Sequence, residues 1–179
     1  MTIYEKMKDI LFEASVYFSY FVSMVWLRRR KYPQFEYNIS ADSSQYKFEY
    51  LSNHKNELTK KHFCQYLRIY YNTDTYGVDL GLLLDLFNYS TPKYLMTYKE
   101  QKILKQLPDP VTVYRGTSPD EIIPRLSWSL DLTTALRFSK GRVFMSVVPK
   151  NKVFAYIDNN YCGEKEIITY VTDNYKAII

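Results

Sequence analysis

The chain has 179 residues but only 2 His, 2 Cys and 5 Gly, which excludes disulfide frameworks and Cys-rich zinc scaffolds. Neither G-x-x-x-x-G-K nor G-x-G-x-x-G occurs, so no glycine loop cradles phosphate here. Against that scarcity stand 19 Tyr and 46% hydrophobic residues, enough for one domain or two small lobes, and a net charge of +5 that suits an anionic ligand or acidic partner.

The most apolar stretch, Ile10 to Leu27, carries no charge from Ala14 onward and runs into Arg28-Arg29-Arg30-Lys31. It falls short of the about 20 apolar residues that a membrane span needs. The pattern therefore predicts a buried N-terminal helix with a basic last turn, ended by Pro33, and no transmembrane span. A helix anchored on a membrane surface is the reading left open beside it. Glu5, Asp9 and Glu13 ahead of the stretch do not fit a secretory leader, and Cys64 and Cys162 suit a reducing compartment, so a cytoplasmic location is expected.

Residues 37–53 mix polar and aromatic side chains, with a turn expected at Asp42-Ser43-Ser44. Helices are expected over Asn56–Tyr71, where Phe63, Leu67 and Tyr70 share a face, over Val78–Asn88, and over Thr97–Leu107 ahead of Pro108. His54 and His62 lie beside lysines in this region and read as solvated surface residues; no metal is expected. At Pro108-Asp109-Pro110 the pattern turns to short strands: Val111–Tyr114, Leu126–Leu130, Arg142–Val148, Val153–Ile157 and Glu166–Val171. Asp131 offers an N-cap for a helix over Thr133–Ser139, and Asp158-Asn159-Asn160 a turn. The fold class expected is α+β, with a helical lobe over 1–108 and a strand-rich unit over 109–179.

Three short motifs punctuate the strand-rich half. Tyr114-Arg115-Gly116 puts an arginine at the end of a strand. Ser127-Trp128-Ser129 puts two hydroxyls on one strand face, with Trp128 turned the other way into a core. Glu164-Lys165-Glu166, followed by Ile167-Ile168, puts two carboxylates on the same side of an extended segment. Each alone is common surface decoration; their order and strand placement give them weight.

In that order the motifs resemble the aromatic-Arg, Ser-x-Ser and Glu-x-Glu signatures of mono-ADP-ribosyltransferases of the Arg–Ser–Glu class, small prokaryotic or phage-encoded members above all. The resemblance covers Val111 onward and none of the first 108 residues. It implies a split β-sandwich with a few helices and NAD as substrate. ADP-ribose would pass to a side chain of a host protein in the bacterial cytoplasm, with release of nicotinamide. Because both glutamates are present, arginine is the implied acceptor.

The chemistry suits these residue types. Cleavage of the nicotinamide–ribose bond builds positive charge on the ribose, as in glycosidases. The leaving group is already cationic and departs neutral, so neither a histidine acid nor a metal is needed. By the resemblance, Glu166 stabilises the ribosyl cation and Glu164 prepares the incoming guanidinium. Arg115 offers a planar fork to the diphosphate or ribose, and Ser127 orients Glu166 or the nicotinamide ribose. Gly116, Ser129 and Phe138 join the NAD-binding layer, and Tyr161 sits where related toxins meet their target. Phe138 and Phe144 could pack against nicotinamide, but the preferred reading of both is as core residues. The Trp128 between the serines departs from the commoner Ser-Thr-Ser form. The helical lobe is expected to select the partner or to cover the NAD cleft. Open alternatives are an NAD glycohydrolase, transfer to nucleic acid, and a non-catalytic module that binds and blocks a host protein.

Overall fold

The computed structural model describes residues 43–73, 75–119, 125–159 and 164–178. The expected helix at Ile10–Leu27, the basic run Arg28–Lys31, Tyr161 and Cys162 lie outside them. The chain divides into two compact units, Met1–Lys99 and Glu100–Ile179. It is mixed α+β, with six α-helices among the described residues and one six-stranded antiparallel sheet.

The first unit is helical. Helix α1 (Ser44–Asn53) stands where a turn is expected, and the reason is local: the Ser43 hydroxyl accepts from the Tyr46 amide and caps the helix start. A short 3-10 turn (Lys55–Glu57) precedes α2 (Lys60–Thr73), so the single helix expected from Asn56 is broken at Leu58. Helix α3 (Leu80–Tyr89) is capped by Asp79, whose carboxylate accepts from the Leu82 amide at 2.8 Å. Helix α4 (Pro92–Leu95) is one turn long. Tyrosines carry much of this unit's interior. Phe48 meets Tyr70 edge-on at 6.0 Å, Phe63 meets Tyr89 at 4.8 Å, and Tyr71 meets Phe87 at 5.2 Å. Such pairs add about 0.5–1.5 kcal/mol beyond burial, which gives the tyrosine excess a packing role. Cys64 is buried there, its sulfur accepting from the Thr91 amide. His54 is not a freely solvated residue: its ring stacks on Tyr50 at 4.0 Å.

Helix α5 (Tyr98–Gln106) leads into the second unit. Its Glu100 is buried and belongs to the sheet, accepting from the Asp158 amide at 3.0 Å. The unit boundary therefore falls ahead of the composition change at Pro108. Strand β1 (Val111–Thr117) is followed by β2 (Ser127–Ser129), helix α6 (Leu132–Phe138) and β3 (Arg142–Val148). After a 3-10 turn come β4 (Val153–Asn159), β5 (Glu164–Thr169) and β6 (Tyr175–Ala177). The sheet order is β4-β5-β2-β1-β3-β6.

The joins differ in width, and that difference positions the site. β1 and β3 pair along their full length, from Val111 opposite Val148 to Thr117 opposite Arg142. β4 and β5 pair from Val153 opposite Thr169 to Asn159 opposite Glu164. β1 and β2 meet at one register pair, Tyr114 opposite Ser129. The resemblance implies a split β-sandwich; the described residues form one six-stranded sheet, in which β4-β5-β2 and β1-β3-β6 meet at the narrow β1–β2 pairing. Val111, Val113, Trp128, Tyr156 and Ile167, which alternate onto one face, are nearly fully buried. Each such aliphatic side chain contributes about 1.5–3 kcal/mol by leaving water.

Candidate functional site

Beyond Tyr114 and Ser129 the β1–β2 ladder does not continue to Arg115 and Gly116. In its place the Arg115 guanidinium spans the opening and donates from Nη1 to the Ser127 carbonyl at 2.5 Å. Strand alternation puts Arg115 on the face opposite Tyr114 and Ser129, so it reaches the opening through its long side chain. Ser129 lies opposite Glu166, and Ser127 opposite Ile168. Ser127, Ser129, Glu164 and Glu166 therefore share one face, with Cβ atoms of directly opposed residues about 4.5–5.5 Å apart. Arg115, the two serines and Glu166, drawn from three distant stretches, are brought onto consecutive strands.

The other predicted residues separate into different roles. The Ser129 hydroxyl accepts from the Asp131 amide at 3.0 Å and shapes the turn into α6. Among the described residues, the Ser127 hydroxyl has no hydrogen-bond partner. Glu164 is half-buried, lies beyond the end of β2 opposite Asn159, and makes no side-chain bond with a described residue. Gly116 is a point of close approach: a Cβ there would stand 1.9 Å from the Ala135 carbonyl oxygen of α6. Phe138 is not a core residue; it is 58% exposed at the end of α6, with Arg137 5.9 Å from its ring. Phe144, by contrast, is buried and meets Tyr175 edge-on at 5.5 Å. Trp128 is buried as expected, and its indole donates to the Arg125 carbonyl at 3.0 Å.

Asp131 sets α6 against β1. Its carboxylate accepts from the Thr133 and Thr134 amides and from the Thr134 hydroxyl at 2.8 Å. Those hydrogen bonds, led by that of Thr134, hold its carboxyl below the usual aspartate range. Because the folded value is depressed, the cap's contribution is present above the ordinary aspartate pKa and is lost as pH falls through the folded one. Asp131→Asn is expected to lower the melting temperature at neutral pH and to flatten its acid-side dependence, read by thermal melts between pH 2 and 7.

One residue that sequence reasoning treated only as the start of a strand belongs beside this opening. Arg142 faces Thr117 across the β1–β3 ladder, two positions from Phe144, which faces Arg115. The two guanidinium-bearing residues therefore share a face as diagonal neighbours, about 7–8 Å apart. Arg142 donates from Nη2 to the Ser118 and Pro119 carbonyls, and its Nε has no partner among the described residues. Only the strand register discloses this neighbour; no motif marks it.

Among the described residues no helix is long and apolar enough to cross a membrane, and no three His, Cys, Asp or Glu side chains gather as a metal site. Comparison with known protein families, curated proteins and solved structures finds no match for this chain.

Proposed function

We propose that the chain is an NAD-dependent mono-ADP-ribosyltransferase that transfers ADP-ribose to an arginine side chain of a protein. The observation that carries this reading is the join between the half-sheets. There Arg115 bonds the Ser127 backbone across the opening, while Glu166 lies in register with Ser129.

In this reading the C1′–N bond between ribose and nicotinamide breaks and its electron pair leaves with nicotinamide. Glu166, a half-buried carboxylate, stabilises the cation left on the ribose better than water does. An acceptor guanidine nitrogen then bonds to C1′ and releases a proton to Glu164. Ser127, whose hydroxyl has no hydrogen-bond partner among the described residues, orients the ribose or Glu166. Arg115 and Arg142 together grip the diphosphate. Arg142→Ala is expected to raise the KM for NAD roughly tenfold with kcat little changed, since a hydrogen bond to a charged group contributes about 1.5–3 kcal/mol.

The test is incubation with labelled NAD and host lysate, for the wild type, Glu166→Ala and Glu164→Gln. Label on protein, lost in Glu166→Ala, supports the transferase. In Glu164→Gln, NAD cleavage is expected to persist while protein labelling falls at least tenfold. Free ADP-ribose as the sole product makes the chain a glycohydrolase, and label on nucleic acid shifts the acceptor class. No cleavage of NAD by the wild type overturns the enzymatic reading.

A further inference from the structure

We infer that a groove in the second unit, on the sheet face behind Glu164, docks a basic and apolar segment of the acceptor protein and delivers a nearby arginine to Glu164. This deepens the reading above and rests on it.

The groove has a volume of about 480 Å³, within the range of sites that seat several side chains. Its apolar floor is Ile103 of α5, Leu107 just past the helix end, and Leu130. Its polar wall is Asp131, Lys165 and Asp158 beside Tyr156, the last two on the same face as Lys165 because Asp158 opposes it in the ladder. Glu100 is buried behind this wall, where it accepts from the Asp158 amide at 3.0 Å. Two carboxylates against one ammonium leave the lining with an excess of negative charge. Burial, with Asp158 and Glu100 adding to it, pushes the Tyr156 phenol up to about 12. A phosphate backbone would be repelled here, and a cationic side chain with an apolar neighbour would be held.

Position links the groove to the reaction. β2 ends at Ser129, and the Leu130 amide donating to the Lys165 carbonyl at 2.9 Å is the next link to β5 before the chain turns into α6. Glu164 is the residue after that link. A bound segment with one side chain beside Lys165 can pass this strand end, since an extended chain advances about 3.3 Å per residue. Two or three residues then bring an arginine to Glu164.

The experiment uses the full chain, saturating NAD and two acceptors: agmatine, which is a bare guanidinium, and a synthetic peptide of alternating leucine and arginine. For the wild type the peptide KM is expected to lie at least tenfold below that of agmatine. Leu107→Arg should raise the peptide KM about tenfold, leaving the KM values for agmatine and NAD unchanged. Two polar substitutions carry the test should Leu107→Arg not fold. Asp158→Asn should raise the peptide KM and Lys165→Glu should lower it, each by roughly two- to fivefold. Equal KM values for the two acceptors in the wild type overturn the groove, as do variants that shift both acceptors alike. Both results leave NAD cleavage intact, whereas a wild type that cleaves no NAD fails at the reaction itself.

Discussion

Glu166→Gln is expected to leave the sheet intact and to lower NAD cleavage roughly 10²–10³-fold in kcat, with little change in KM. The substitution keeps the side chain's size and removes its charge, so it tests electrostatic stabilisation of the ribosyl cation and little else. The backbone at this position is held on both sides, by Ser129 of β2 and Ile157 of β4. The two residues that follow, Ile167 and Ile168, are essentially fully buried and anchor the strand. Unfolding is therefore a poor explanation for lost activity, and circular dichroism beside a nicotinamide-release assay separates the two. Cleavage retained within a few-fold of wild type would remove Glu166 from the proposed role.

What could be read from the residues alone depended on whether the signal was local. β3 spans Arg142–Val148 as expected, because a continuous β-branched and aromatic run sits between Gly141 and Pro149. Asp131 likewise caps its helix as expected, since an N-cap acts over a few residues. Helix α1 was hidden because the serine that suggests a turn is the same serine that caps a helix. β4 runs through the turn expected at Asp158 because its pairing with β5 extends to Glu164, a cross-strand effect with no local signature. β6 is a three-residue edge strand, held by pairing with Phe144–Ser146. At the candidate site the motif residues were legible as motifs, while their division of labour was not. That Ser129 shapes a turn, that Arg115 bridges an opening and that Arg142 stands beside it all follow from register between distant strands. The groove beneath α5 is likewise invisible until Tyr156, Asp158 and Lys165 are aligned.

Gly116→Ala is expected to destabilise the second unit by about 3 kcal/mol, the upper end of what overpacking usually costs. The added methyl would lie 1.9 Å from the Ala135 carbonyl oxygen, 2.7 Å from the Ser139 amide nitrogen and 2.9 Å from the Ala135 carbonyl carbon. All three are backbone atoms, so no side-chain rotation relieves the clash; α6 and β1 must part. That movement is resisted where the Lys140 amide donates to the Thr117 carbonyl at 3.0 Å, and by Thr134 and Ala135, the buried residues of the helix. Glycine here is needed for space, since its backbone is ordinary strand. Urea titration should show a lower midpoint with an unchanged slope, the mark of lost stability without a changed unfolded state. The same displacement moves the neighbouring Arg115, whose bond to Ser127 spans the opening, so in the proposed reaction the KM for NAD should rise in the fraction that remains folded. An unchanged midpoint would mean that α6 does not press on β1 at this glycine, and the account of how the opening is shaped would fail with it.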